Sequence, residues 1–302
     1  MKRFLLHSIC VFVVSGSFSQ SKINQFLKPS DTLNISRRNA VIITEASLAT
    51  ISLIALDQLW YKDYPRSKFH TINDNNEWLQ VDKFGHAFSA YQLGKFGAHA
   101  LNWSGVSEKD QLIYGATLGF VFLGAVEAFD GFSEEWGFSL GDIAANGVGT
   151  GLYIGQELLW QEQRIIMKYS FHQTQYANIS SDVLGEGIFQ EFLKDYNGQT
   201  YWLSVNLHAF FKDSKIPKWF NGALGYGAES MISENSKTAT NSNLDIDPYR
   251  QFYLSLDIDL SRIKTNSHVL RTLFDVFNMI KVPFPALEFN GKNGITVHGI
   301  YF

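Results

Sequence analysis

Four apolar stretches fill the first half of the chain, and their spacing is helical rather than alternating. "NAVIITEASLATISLIALDQLWY" (39–61) is nearly continuous, with Glu45 and Asp57 embedded in it. "LQVDKFGHAFSAYQLGKFGAHALNW" (79–103) is more amphipathic. "EKDQLIYGATLGFVFLGAVEAF" (108–129) holds an uncharged run from Leu112 to Val126. "SLGDIAANGVGTGLYIGQELLWQEQ" (139–163) opens on Ser139, a good helix N-cap, with Asp142 three places on. Beyond about residue 165 the pattern changes. "YWLSVNLHAFF" (201–211), "FNGALGYGAESM" (220–231) and "QFYLSLDIDL" (251–260) are aromatic and partly alternating, as strands are. In the last, Phe252, Leu254, Leu256, Ile258 and Leu260 share one face, and Tyr253, Ser255, Asp257 and Asp259 the other. Segments 180–196 and 269–280 read as two extra helices, and 231–247 as a polar surface loop.

The predicted fold class is therefore α+β: a helical bundle of about four helices over 38–165, followed by a β-rich region with two extra helices over 166–302. The final "NGITVHGIYF" ends on an aromatic, as the closing strand of an outer-membrane barrel often does. Residues 1–20 form a predicted signal peptide. Lys2 and Arg3 precede an apolar core, Phe4 to Val14, and the small residues of "SGSFSQ" follow. That core is too short to span a bilayer. Cys10, the only cysteine, lies inside it, so the mature chain has no disulfide and no thiol nucleophile.

Two packings suit the helices: a membrane-embedded or membrane-apposed bundle, and a compact soluble one. Gly147, Gly151 and Gly155 recur every four residues, as do Gly115 and Gly119. Such spacing predicts a glycine groove for close helix contact. Aromatic residues are 15% of the chain and charged residues 18%, a balance that suits membrane contact or an interface more than a highly soluble enzyme. The net charge of -4, without a basic stripe, argues against a nucleic-acid partner. A membrane lipid or another envelope component is the expected partner, and the expected destination is the periplasm or outer membrane.

Short turns join the second helix to the third and the third to the fourth, so neighbours should run antiparallel. One end of the bundle then gathers Asp82, Lys83 and His86, Glu127 and Asp130, and Asp142 and Asn146. Asp57 is a candidate to join them. Asp82, His86, Glu127, Asp130 and Asp142 are candidate ligands of a divalent cation, a mixed set that suits Zn, Mn or Fe better than Ca. His86, Glu127 and Asp142 are the candidate catalytic groups, with Lys83, Ser139 and Asn146 as further polar members. The plainer reading makes Asp142 and Asp82 helix-start carboxylates, His86 a satisfied core histidine and Asp130 a turn residue. His99, His172, His208 and His298 read as structural. No phosphate-binding glycine loop, G-x-S-x-G elbow or H-E-x-x-H pair occurs.

"DKFGHAFSAY" and "GAVEAFDGFSEEWGFSLGDIAANGVGTG" resemble the YfiM-like family of periplasmic lipoproteins, over about residues 78–160. The second motif is also, more loosely, similar to VanZ-like membrane proteins. The resemblance implies an envelope location and motif positions at Asp82, Lys83, His86, Glu127, Asp130, Ser139, Asp142, Asn146 and Gly149. It implies no reaction. The expected function is that of an exported, membrane-associated envelope protein whose polar cluster locks the bundle or binds a ligand. The alternative is an envelope enzyme, metal-assisted or using Lys83, acting on a lipid head group or cell-wall precursor.

Overall fold

The computed structural model describes residues 22–62, 64–234 and 247–302. The predicted signal segment with Cys10 and most of the polar loop 231–247 lie outside the described residues. Helix α1, Ile35–Leu56, starts where the Asn34 side chain accepts the Arg37 N–H, and runs on into a π-helical turn, Asp57–Tyr61. Strand β1, Thr71–Ile72, precedes helix α2, Val81–Trp103. The third apolar stretch is not one regular helix: a π-helical segment, Gln111–Gly115, precedes helix α3, Leu118–Asp130. Strand β2, Phe138–Ser139, leads directly into helix α4, Leu140–Trp160.

Helix α2 is central and packs against α3, α4 and the sheet. Small residues set those approaches. A Cβ on Gly119 would sit 2.3 Å from the Ala90 carbonyl oxygen, and one on Gly149 1.9 Å from that of Ala87. The expected groove along Gly147, Gly151 and Gly155 is not a packing surface. Gly151 and Gly155 face open space, and Gly147 meets only Phe120. The buried face of α4 runs instead through Asp142, Asn146, Gly149 and Tyr153.

Six strands follow in antiparallel order: β3 (Ile165–Phe171), β4 (Gln199–Asn206), β5 (Phe220–Glu229), β6 (Tyr249–Ile258), β7 (Phe284–Asn290) and β8 (Gly294–Tyr301). Sequence patterning missed β3 and β7. It also carried the strand at 201–211 too far. Asn206 ends β4 and accepts the Ala209 N–H at 2.9 Å, starting a helical turn, Leu207–Phe210. The expected helix over 180–196 is two short pieces, Ser181–Leu184 and Ile188–Lys194, because Gly185 and Gly187 between them have φ of 96° and 77°. The other expected helix is His268–Phe277, hereafter the C-terminal helix.

The sheet is strongly curled. Tyr301 of β8 and Thr200 of β4 share a hydrogen bond of 3.0 Å, although the two strands are four places apart. In a flat sheet that separation is about 19 Å. The bundle packs on the outside of this curl. Phe84 of α2 stacks on Tyr226 at 4.5 Å, and Phe88 lies against Tyr169 and Tyr201. Ile35–Leu56 and Glu108–Asp130 are long and apolar enough to cross a membrane, by length and composition alone.

Candidate functional site

The parallel pairing of β1 with β2 brings the segment before α2 beside the start of α4. Ser139 stands at this junction, 1% exposed, and both its hydroxyl and its N–H are bonded. Its hydroxyl donates to Asp74 Oδ1 at 2.6 Å and accepts the Asp142 N–H at 3.1 Å, the expected N-cap. Its own N–H donates to Glu127 Oε2 at 3.1 Å. One residue thus ties α3, α4 and the β1–α2 connection together.

Lys83 lies across the same end of the bundle. Its Nζ is 2.6 Å from Asp74 Oδ2, 2.8 Å from Asp142 Oδ1 and 3.2 Å from Asp82 Oδ2. The Asp142 contact is an ion pair lying off the hydrogen-bonding direction. Three buried or nearly buried carboxylates, those of Asp74, Asp82 and Asp142, therefore share one lysine, and a fourth, Glu127, stands beside them on Ser139 and His86. Burial pushes the Asp82 carboxyl up to about 6, with Lys83 opposing the shift. Burial also raises Asp142, against His86 and Lys83. Asp74 goes the other way. Burial alone would raise it, but its contacts with Lys83 and Ser139 hold it below the ordinary range. Lys83 answers in kind: burial would lower it, and the carboxylates around it raise it.

His86 completes the group. Its Nδ1 is 3.2 Å from Asn146 Oδ1, and Asn146 is fully buried. The amide oxygen opposite selects the tautomer with the proton on Nδ1. The Nε2 lone pair then points toward Asp142 Oδ1 at 3.6 Å and Glu127 Oε1 at 3.8 Å. Three acceptors facing one another repel unless a proton or a cation lies between them. Asp82, His86 and Asp142 each offer a ligand atom, all within 4.8 Å of one another. A Zn-like ion with bonds of about 2.1 Å holds tetrahedral ligands roughly 3.4 Å apart. From separations of up to 4.8 Å, reaching that spacing takes an inward movement of these side chains. Asp82 Oδ1 and Asn146 Nδ2 are buried without a hydrogen-bond partner, so the cluster has spare polar capacity.

The entry to α2 is held by the sheet. Trp78, Leu79 and Gln80 have φ of 47°, 49° and 67°, three consecutive left-handed residues with side chains. Each such residue costs about 1–2 kcal/mol. Tyr226 donates to the Leu79 carbonyl, Arg250 reaches Gln80 Oε1 at 2.5 Å, and the Trp78 N–H donates to Glu234 O at 3.1 Å. These contacts fix the turn that aims Asp82 and Lys83. Beside the cluster opens a cavity of about 260 Å³, lined by Asp82, His86 and Ser89 together with apolar and aromatic side chains such as Phe88, Leu123 and Tyr169.

The structure thus brings Asp82, Lys83, His86, Glu127, Ser139, Asp142 and Asn146 together. Two candidates stand aside. Asp130 accepts the Tyr61 hydroxyl at 2.5 Å rather than joining the bonds around Lys83. Asp57 pairs with Arg66. Asp74 was missed by sequence reasoning. It lies in the polar connection "NDNNE", where no periodicity marks one acid from its neighbours. Two of the remaining histidines have acidic partners: His99 pairs with Asp275 at 2.8 Å and His298 with Glu288 at 2.7 Å.

Residues 72–155 match the model of a family described as predicted periplasmic lipoproteins (DUF2279). No curated protein and no solved structure matches the chain. The matched segment runs from β1 to within five residues of the end of α4 and carries the whole cluster, Asp74 included. Its description supports export to the cell envelope for a protein of unknown function.

Proposed function

We propose that this is a membrane-associated envelope protein whose helical region binds a divalent cation through Asp82, His86 and Asp142. The observation that carries the reading is the setting of His86. Asn146 takes the proton-bearing ring nitrogen and leaves the other facing carboxylate oxygens at 3.6 and 3.8 Å. Metal-bound histidines are oriented in this way, by a carbonyl on the far nitrogen. The charge balance supports it, since one lysine pairs with three carboxylates and a fourth, Glu127, lies beside them without it. Glu127 then acts around the ligands through Ser139, and Lys83 pairs directly with Asp82 and Asp142 as well as with Asp74. The neighbouring cavity suits the apolar part of a membrane lipid or another envelope component. The motif likeness to YfiM-like and VanZ-like proteins fits an envelope role without adding a reaction. An envelope enzyme would use the same cation as a Lewis acid.

The test is titration of the chelator-treated mature chain with Zn²⁺, Mn²⁺ and Mg²⁺ by calorimetry, with bound metal measured by elemental analysis. One ion per chain is expected, lost in His86→Ala and in Asp142→Asn while circular dichroism stays unchanged. Failure to take up any of the three ions at millimolar concentration rejects the proposal.

A further inference from the structure

The curled sheet is polar inside and apolar outside. In β6, Gln251, Tyr253, Ser255 and Asp257 are buried, while Phe252, Leu254 and Leu256 are 53%, 48% and 41% exposed. Strand register extends this across the sheet. Met167, Leu203, Leu224, Leu254, Leu287 and Val297 form one cross-strand row, and Tyr169, Tyr201, Tyr226, Phe252, Phe289 and Ile295 form the next. Helix α2 covers part of both rows. Tyr169, Tyr201 and Tyr226 are under 9% exposed beneath it, but Phe252, Phe289 and Ile295 in the same row are 39–66% exposed. The apolar pattern therefore continues over β6, β7 and β8 with no protein on top among the described residues.

The opposite face explains why the apolar residues do not turn inward. It is filled by a polar core. Lys168 and Asp257, both fully buried, pair at 2.8 Å, and Ser204 donates to Asp257 at 2.6 Å. Asn206 donates to Asn221 at 2.7 Å, and Gln251 to Glu288 at 2.9 Å. Tyr301 closes the curl, bonded to Tyr253 at 2.8 Å and to Thr200. A water-soluble sheet places its polar side chains outward, and a lipid-facing barrel does the reverse.

Nine large apolar side chains stand on the exposed part: Leu203, Leu224, Phe252, Leu254, Leu256, Leu287, Phe289, Ile295 and Val297. At their partial exposures they present on the order of 800 Å², if a large side chain offers about 180 Å². Soluble monomers rarely exceed roughly 300–600 Å² in one apolar patch. A second copy is a poor cover. A stable interface buries about 800 Å² on each partner, which would require nearly the whole patch. Two convex surfaces meet only along a strip. A fluid hydrocarbon phase has no such restriction. It also fits α1, whose Ile43, Leu48, Ile51 and Ile54 are 58–65% exposed.

We infer that the outward face of β6, β7 and β8, with Leu203 and Leu224, is seated among the acyl chains of a lipid bilayer. The lone cysteine at position 10 makes single-cysteine reporters simple. In a Cys10→Ser background, Leu254→Cys and Val297→Cys place an environment-sensitive dye on the outward face, and Lys292→Cys places one in the β7–β8 turn. The full chain is reconstituted in phosphatidylethanolamine–phosphatidylglycerol vesicles. Brominated acyl chains should quench the dyes at 254 and 297, and aqueous iodide should not. The dye at 292 should show loss to iodide. Iodide quenching at 254 and 297 in vesicle-bound protein would overturn the inference. So would a lipid-free, detergent-free protein in which those two dyes are shielded as concentration rises, since a second copy would then be the cover.

Discussion

Both halves of the molecule bury polar groups, but they finish the task differently. Inside the curled sheet the buried polar side chains find partners. Lys168 has Asp257 and the Ile258 carbonyl, and Asn206 has Asn221 and the Lys218 carbonyl. At the end of the helical bundle the carboxylates outnumber the cations, and Asp82 Oδ1 and Asn146 Nδ2 have no partner. A closed polar network rigidifies a fold, whereas an open one lowers stability unless something else completes it. The sheet interior is accordingly scaffold, and the bundle end is the place for a ligand.

The largest expected effect tests the scaffold side. Lys168→Met removes the ammonium paired with the buried Asp257, leaving the more distant Lys281 to face it, and should destabilise by about 3–5 kcal/mol. Asp82→Asn at the bundle end removes a charge from a crowded group and should cost less than about 1 kcal/mol, or stabilise. Denaturant midpoints of the two variants in detergent check the contrast. Equal losses would make the bundle end a closed network like the sheet, and the distinction would fail.

A middle-sized effect belongs to Ser139, the residue that joins both ends of the cluster. Ser139→Ala removes the N-cap of α4 and the hydroxyl bound to Asp74, and should cost about 1–3 kcal/mol. It leaves Asp82, His86 and Asp142 in place. Cation affinity should therefore weaken rather than vanish, in contrast to Asp142→Asn. Calorimetry and melting on the same sample read both quantities. Intact stability in Ser139→Ala would show that the junction is not held by this side chain.

How far the sequence allowed this contrast to be read depends on the element. The cluster was legible because helix periodicity, a Ser139 cap and two short turns suffice to place His86, Glu127 and Asp142 at one end. Asp74 was not, since its position depends on the two-residue β1–β2 pairing, a contact with no local signature. The glycine groove was assigned to the wrong face of α4 because spacing shows which glycines align, not which row meets a neighbour. Strand β6 is the sharpest case. Its period of two separated Leu254 from Ser255 correctly, yet period says nothing about which face turns inward. Strand β3, "IIMKYSF", gave no alternation to read, since it is covered on both faces and Lys168 sits in its middle.

The smallest effect concerns the seam between the two regions. Asp275, on the C-terminal helix, lies 2.8 Å from His99 Nδ1 and 3.4 Å from Lys95 Nζ, both on α2. Burial would raise its carboxyl, but the His99 and Lys95 contacts outweigh that and hold it at about 2. An unfolded aspartate titrates near 3.9. With the folded value the lower one, the unfolded chain binds more protons between the two values, so stability rises with pH there. The seam's contribution is complete above about pH 4 and is lost as pH falls through about 2. It should amount to no more than about 2 kcal/mol, since part of the group is in contact with solvent. Asp275→Asn should remove that acid-limb dependence and leave cation binding untouched, because none of its partners is in the cluster. Melting temperature against pH from 5 to 2, for the parent and the variant, is the measurement. Parallel curves would show that the seam does not depend on this charge, and that it rests on the aromatic packing of Phe84 and Phe88 and on neutral contacts such as Gln92 to the Met167 carbonyl.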